Sequence, residues 1–135
     1  MSLQSKWQSQ APTPESSKKP SILYLEKDEA LFRKIKACLE NAGFAVIGAT
    51  NSWQALALVP KSPIHLVLGG EVLSEPEGIE LVRKIKEAKP DIPVVLWSRS
   101  LPDSMKGLDA FVSAEESPAN FLMLLRKLSE RYVTA

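Results

Sequence analysis

Five apolar, β-rich runs recur along the chain, and a helical spacing of apolar residues fills most of the intervals between them. The first run, "SILYLE" (21–26), lies between Pro20 and a charged cluster and reads as a buried strand. From Asp28 the period changes. Leu31, Ile35, Cys38, Leu39 and Ala42 fall three and four apart and mark one face of a helix, with Asp28 placed to cap its start and Gly43 to end it. "FAVIGAT" (44–50) is a second strand. Asn51 or Ser52 then caps a short helix whose apolar residues are Trp53, Leu56 and Val59, stopped by Pro60. "HLVLGG" (65–70) is a third strand, continuously apolar as expected when both faces are covered. A helix from about Glu77 to Ala88 turns Ile79, Val82 and Ile85 inward, and Pro90 lies just beyond it. "IPVVLWS" (92–98) and "DAFVSA" (109–114) complete the strands. Between them "RSLPDSMKGL" has room for little more than one helical turn. Ser117 and Pro118 form a cap and first-turn pair, and Phe121, Leu124, Leu125, Leu128 and Tyr132 make a final amphipathic helix.

Strands alternating with helices predict a doubly wound, five-stranded parallel sheet of the α/β class. In such a sheet ligands bind at the carboxyl ends of the strands flanking the point where strand order reverses. For a flavodoxin-like order, 2-1-3-4-5, those are the first and third strands. They end here at Glu26-Lys27 and at Gly69-Gly70.

Composition narrows the field. A chain of 135 residues with 44% apolar content fits one domain with a real core, taken as 21–133. The stretch 1–20 is rich in Ser, Gln, Pro and Lys and is expected to be a disordered tail, with Trp7 an isolated exposed aromatic. A formal charge of +1 gives no electrostatic footprint for nucleic acid or an anionic membrane. The one cysteine excludes an internal disulfide, and no apolar run approaches a membrane span or a signal peptide. A cytoplasmic protein is expected.

The order and spacing of "ILYLEKDEALFRKIKACLENAGFAVIGATNSWQALAL" and "HLVLGGEVLSEPEGIELVRKIKEAKPDIPVVLWS" resemble the receiver domain of bacterial two-component response regulators, over roughly Ser21 to Val133. The resemblance implies phosphoryl transfer from a histidine kinase to an aspartate. That chemistry uses a carboxylate nucleophile after the third strand and acidic residues after the first to hold Mg²⁺. It also uses a Ser or Thr after the fourth strand and a Lys after the fifth to hold the phosphoryl oxygens.

Carried over residue by residue, the pattern departs from the family. Gly70 stands at the nucleophile position, and a glycine has nothing to phosphorylate. The acidic pair becomes Glu26 and Lys27, and the phosphate-holding lysine becomes Ala114, followed by Glu115. Ser98 keeps the hydroxyl, and Phe111 matches the family's aromatic switch residue. Three losses at separate points are better explained by a dismantled phosphoryl site than by a slipped alignment. Placing Glu71 in the nucleophile position would break the spacing to Gly78. No Mg²⁺ dependence of stability and no cofactor are expected. The shortened fourth helix puts a family-type dimer through that face in doubt and leaves oligomeric state open.

Other residues have plainer readings. Ser98 is taken as a hydroxyl satisfied at a strand end and Glu71 as a solvated loop charge. Lys27 either fills the metal position or extends to water. His65, the only histidine, begins a strand and lacks the setting of a phosphorelay histidine. Cys38 is read as core. Trp97 either plugs the crevice or packs in the core. No Ser-His-Asp, Cys-His or metal-ligand constellation argues for an enzyme. The leading expectation is a receiver-like module that docks a signalling protein without phosphorylation. The alternatives are a phosphorelay receiver with Glu71 or Ser98 as acceptor, and a small-ligand sensor at the glycine-lined crevice.

Overall fold

A computed structural model describes residues 19–102 and 104–134, the side chains of 132–134 excepted. The tail residues 1–18, with Trp7, and the side chain of Tyr132 lie outside the described residues. Five parallel strands, β1 (Ser21–Leu25), β2 (Ala45–Ala49), β3 (Leu66–Gly69), β4 (Val94–Ser98) and β5 (Ala110–Ser113), form one sheet in the order β2-β1-β3-β4-β5. The expected order is therefore observed, each strand trimmed by a residue or two. Among the described residues four α-helices accompany them: α1 (Glu29–Asn41), α2 (Ser52–Leu58), α3 (Pro76–Ala88) and α4 (Pro118–Thr134).

Two apolar cores sandwich the sheet because alternate side chains of each strand leave opposite faces. Leu23, Leu25, Val67, Val94 and Leu96 pack with Leu81, Val82 and Ile85 of α3 and with Ala55 of α2. Ile22, Tyr24, Leu66, Leu68 and Val95 pack with Ile35 and Leu39 of α1 and with Phe121 and Leu125 of α4. The central strands β1 and β3 are buried on both sides, which explains their unbroken apolar character.

The helix punctuation is local chemistry. The Asp28 carboxylate accepts from the Leu31 N–H at 3.1 Å, and Gly43, at φ +99°, takes the left-handed conformation that closes α1. Of the two candidate caps for α2, Asn51 serves, accepting from the Gln54 N–H at 2.9 Å. The Ser117 hydroxyl accepts from the Asn120 N–H at 3.2 Å and caps α4.

Two helix faces differ from expectation. Trp53 is 86% exposed, because Ala55 and Val59 supply the stripe of α2 that meets the sheet and Trp53 lies two positions, about 200°, from Ala55. Ile79 is also exposed; the buried stripe of α3 runs Gly78, Leu81, Val82, Ile85. Gly78 takes the inward place because α3 rests on the preceding backbone: a Cβ there would stand 2.1 Å from the Val72 carbonyl oxygen.

The stretch between β4 and β5 goes further than a shortened helix. Among its described residues there is no helix, only a turn at Lys106–Gly107. Gly107, at φ +81°, brings the backbone against Val82, and Leu108 packs into the α2/α3 core. Phe111 is half-buried against the same core. At the opposite end of the sheet, one Asp109 carboxylate oxygen accepts from the Val94 N–H and from the Lys86 ammonium, both at 2.7 Å, tying β5 to β4 and α3.

Candidate functional site

The strand ends fix the site. Beyond β1 the Glu26 N–H still donates to the Ala49 carbonyl, and beyond β3 the Gly70 N–H donates to the Leu25 carbonyl, both at 3.0 Å. These bonds hold Glu26 and Gly70 side by side at the carboxyl edge of the sheet.

Glu26 is a charged side chain only 8% exposed. One carboxylate oxygen accepts from the Asp28 N–H at 3.1 Å and the other from the Tyr24 hydroxyl at 3.4 Å. Burial first, and then the adjacent Glu26 carboxylate, push the Tyr24 phenol far above its ordinary pKa, so it stays protonated and donates. Tyr24 is itself fixed by stacking on Phe32, with ring centroids 5.3 Å apart.

The carboxylate so held lies over Gly70. A Cβ on residue 70 would stand 2.3 Å from Glu26 Oε1 and 3.1 Å from its carboxyl carbon. Gly70 has φ −81°, an ordinary value for any residue, so space rather than backbone conformation favours glycine. Gly69 is constrained in the same way: the chain folds back through a 3₁₀ turn, Glu71–Ser74, and the Leu73 side chain occupies the place of a Cβ at 69, 2.2 Å from its Cδ1.

The other sequence candidates divide. Ser98 is buried at the end of β4, where its hydroxyl accepts from the Ser100 N–H at 3.3 Å, and its carbonyl accepts from the Ala114 N–H at 2.8 Å. Glu26, Glu71, Ser98 and Ala114 therefore border one crevice. Lys27 takes the outward alternative: its exposed ammonium reaches Glu75 across 3.5 Å. Phe111 lies on the opposite face of the sheet, in the α2/α3 layer.

The crevice encloses about 650 Å³ between α1 and the start of α4. The expected glycine lining is not what forms it: Glu26 and Leu73 cover Gly70 and Gly69, and the walls come from α1 and α4, which are far apart in the chain. Leu31, Ile35 and Cys38 line it from α1, and Pro118 and Phe121 from α4. Trp97 packs in the core against Phe121, with ring centroids 6.2 Å apart, and lines the crevice without plugging it. Cys38 is accordingly half-buried at the crevice rather than enclosed in core.

The donor set suits Mg²⁺ poorly. Glu26 already accepts two hydrogen bonds, Lys27 turns toward Glu75, and the Gly70 carbonyl accepts from the Leu73 N–H. Among the described residues no group of three or more His, Cys, Asp or Glu side chains could hold a metal ion.

Comparison with known proteins agrees with the fold. Residues 22–114 match the family model for the response regulator receiver domain. The chain is 30% identical over 93 residues to the uncharacterized transcriptional regulatory protein YkoG of Bacillus subtilis, covering 67% of this chain and 41% of the relative. It is 27% identical over 119 residues to the phosphate regulon transcriptional regulatory protein PhoB of Pseudomonas aeruginosa, covering 82% of this chain and 52% of that protein. The chain thus spans about half or less of these two relatives. In structure it is similar to a CheY-like receiver domain protein of Methanospirillum hungatei, with TM-score 0.74, 20% identity, and coverage of 87% of this chain and 98% of the other.

Proposed function

From the premise that this chain belongs to the response regulator receiver domain family, we propose that it is a phosphorylation-independent member, a protein-interaction module of a signalling pathway. The observation that carries this reading is the pairing of Gly70 with Glu26. The position that supplies the phosphoacceptor in the family has no side chain here, and the neighbouring carboxylate fills the volume where one would begin. Ala114 offers no ammonium to a phosphoryl oxygen, and Lys27 faces Glu75. The signal then resides in a constant surface rather than a covalent state. The module is not itself an enzyme, works in the cytoplasm and takes a protein partner.

An unorthodox phosphorelay has less support. The Ser98 hydroxyl is buried and engaged with the Ser100 N–H, and Glu71 is a solvent-exposed charge at the start of the 3₁₀ turn. The test is intact-protein mass after incubation with acetyl phosphate and Mg²⁺. An unchanged mass, with a melting temperature indifferent to millimolar Mg²⁺ at matched ionic strength, is the expected result. A stoichiometric gain of one phosphoryl group would overturn the proposal.

A further inference from the structure

The crevice between α1 and α4 differs in charge from the molecule around it. Glu26, Asp28, Glu71, Glu115 and Glu116 border it, against only Lys34 and Arg99. These five carboxylates and two cations leave three negative charges in excess, in a chain whose formal net charge is +1. The remainder of the protein is therefore net positive, and the acidic character is concentrated here. Beneath this rim lies apolar surface from Leu31, Ile35, Trp97 and Phe121. Its volume, about 650 Å³, lies within the range of ligand clefts.

We propose that this crevice is the docking site for a basic amphipathic segment of a partner protein, one that seats an apolar side chain on the α1/α4 wall and sets Lys or Arg against the rim. The proposal rests on the interaction-module reading and adds the surface and the partner's chemistry. Charge complementarity selects the occupant. An acidic segment would meet like charge at Glu71 and Glu115, whose side chains are exposed. A basic segment gains from the same field and associates faster at low salt. The apolar wall supplies the non-directional part of the affinity, and Trp97 presents an aromatic surface to cation and hydrocarbon alike. Two rim groups are fixed in place: Asp28 caps α1, and Glu116 accepts from the Asn120 side chain at 2.9 Å. A partner therefore meets a preorganised charge pattern and loses less entropy on binding.

The probe is a fluorescein-labelled amphipathic helix of Leu and Lys, with its Leu/Glu counterpart as control, read by anisotropy and by amide and indole NMR shifts in the full chain. The Leu/Lys peptide should bind, shift the Trp97 indole and the Leu31–Cys38 amides, and slow reaction of the single thiol, Cys38, with a bulky disulfide reagent. The Leu/Glu peptide should not bind. The variant E71K/E115K turns the rim from three net negative charges to one net positive, at exposed positions that leave the core intact. It should weaken Leu/Lys peptide binding by about tenfold or more at low salt, with its thermal midpoint unchanged.

Absence of binding, equal binding of both peptides, affinity unaltered in E71K/E115K, or shifts confined to residues 99–109 would overturn the groove assignment. So would self-association that produces the same shifts without peptide. Shifts at 99–109 would leave the interaction module standing with a different face. A phosphoryl gain in the mass experiment would instead remove the module reading while leaving peptide binding at the groove to be read separately.

Discussion

Gly70→Ala tests whether Glu26 and the strand end are coupled through space. The backbone at 70, φ −81°, accepts alanine, so the substitution alone should stabilise by about 0.4–1 kcal/mol through the unfolded chain. Against this, the new methyl carbon would lie 2.3 Å from Glu26 Oε1, and the carboxylate must move. Moving it breaks its bond from the Asp28 N–H and the longer one from the Tyr24 hydroxyl. A hydrogen bond to a charged group contributes about 1.5–3 kcal/mol, and the buried phenol would lose its acceptor as well. The net expectation is a loss of about 1–2 kcal/mol by urea unfolding at neutral pH, with the dependence on urea unchanged. The decisive arm is the double-mutant cycle with Glu26→Ala, which empties the contested volume. In that background Gly70→Ala should become neutral or slightly stabilising, giving a coupling energy of about 1–3 kcal/mol. Equal destabilisation in both backgrounds would refute the reasoning, since the cost would then arise from something other than Glu26. No effect in the otherwise native chain would refute it too, by showing that the carboxylate moves freely.

Gly78→Ala should cost more than Gly70→Ala, about 2–3 kcal/mol in the same unfolding assay, because the atoms it meets are backbone, Val72 O at 2.1 Å and Leu73 Cα at 2.5 Å, and cannot swing aside. A loss below that of Gly70→Ala would show that α3 shifts easily on the 3₁₀ turn. His65 should make stability depend on pH. Its Nδ1 accepts from the Ser21 N–H at 2.8 Å, and burial, then Lys89, lowers its pKa below the ordinary 6.5. The unfolded chain therefore binds the proton more tightly, and stability should fall as pH drops through about 6.5 and below. His65→Asn should flatten that part of the profile, read as urea midpoints between pH 7.5 and 5.5; an unchanged slope would assign it to other groups.

Much of the fold was legible because its signals are local. The switch from period two to spacings of three and four marks β1 from α1, and Asp28, Asn51, Gly43 and Ser117 act through bonds to residues within a few positions of themselves. Burial of β1 and β3 on both faces appears directly as unbroken apolar runs. Helix faces were less legible where the helix is short. Trp53 looks like core by composition, and only the placement of Ala55 and Val59 against the sheet turns it to solvent. The stretch 99–109 carries Pro102 and Gly107, enough to exclude a full helix. That Gly107 rests against Val82 is a contact between segments distant in sequence.

The same division holds at the site. By itself, the sequence determined that no side chain stands at residue 70, that alanine follows β5, and that Glu26 and Lys27 follow β1. These are identities, and the order of the strands brings Glu26 and Gly70 to one edge. The tertiary structure alone decided what the residues do there. Glu26 turns inward because the Tyr24 hydroxyl and the Asp28 N–H can satisfy a buried carboxylate and Gly70 leaves it room. Lys27 turns outward, where its charge stays hydrated beside Glu75. The acidic crevice exists because α1 and α4 pack on the same face of the sheet beside the ends of β1, β3 and β5, and the segments that follow those strands carry its five carboxylates. Charge complementarity and free volume depend on distances between segments remote in the chain, and no pattern of neighbours along the sequence records them.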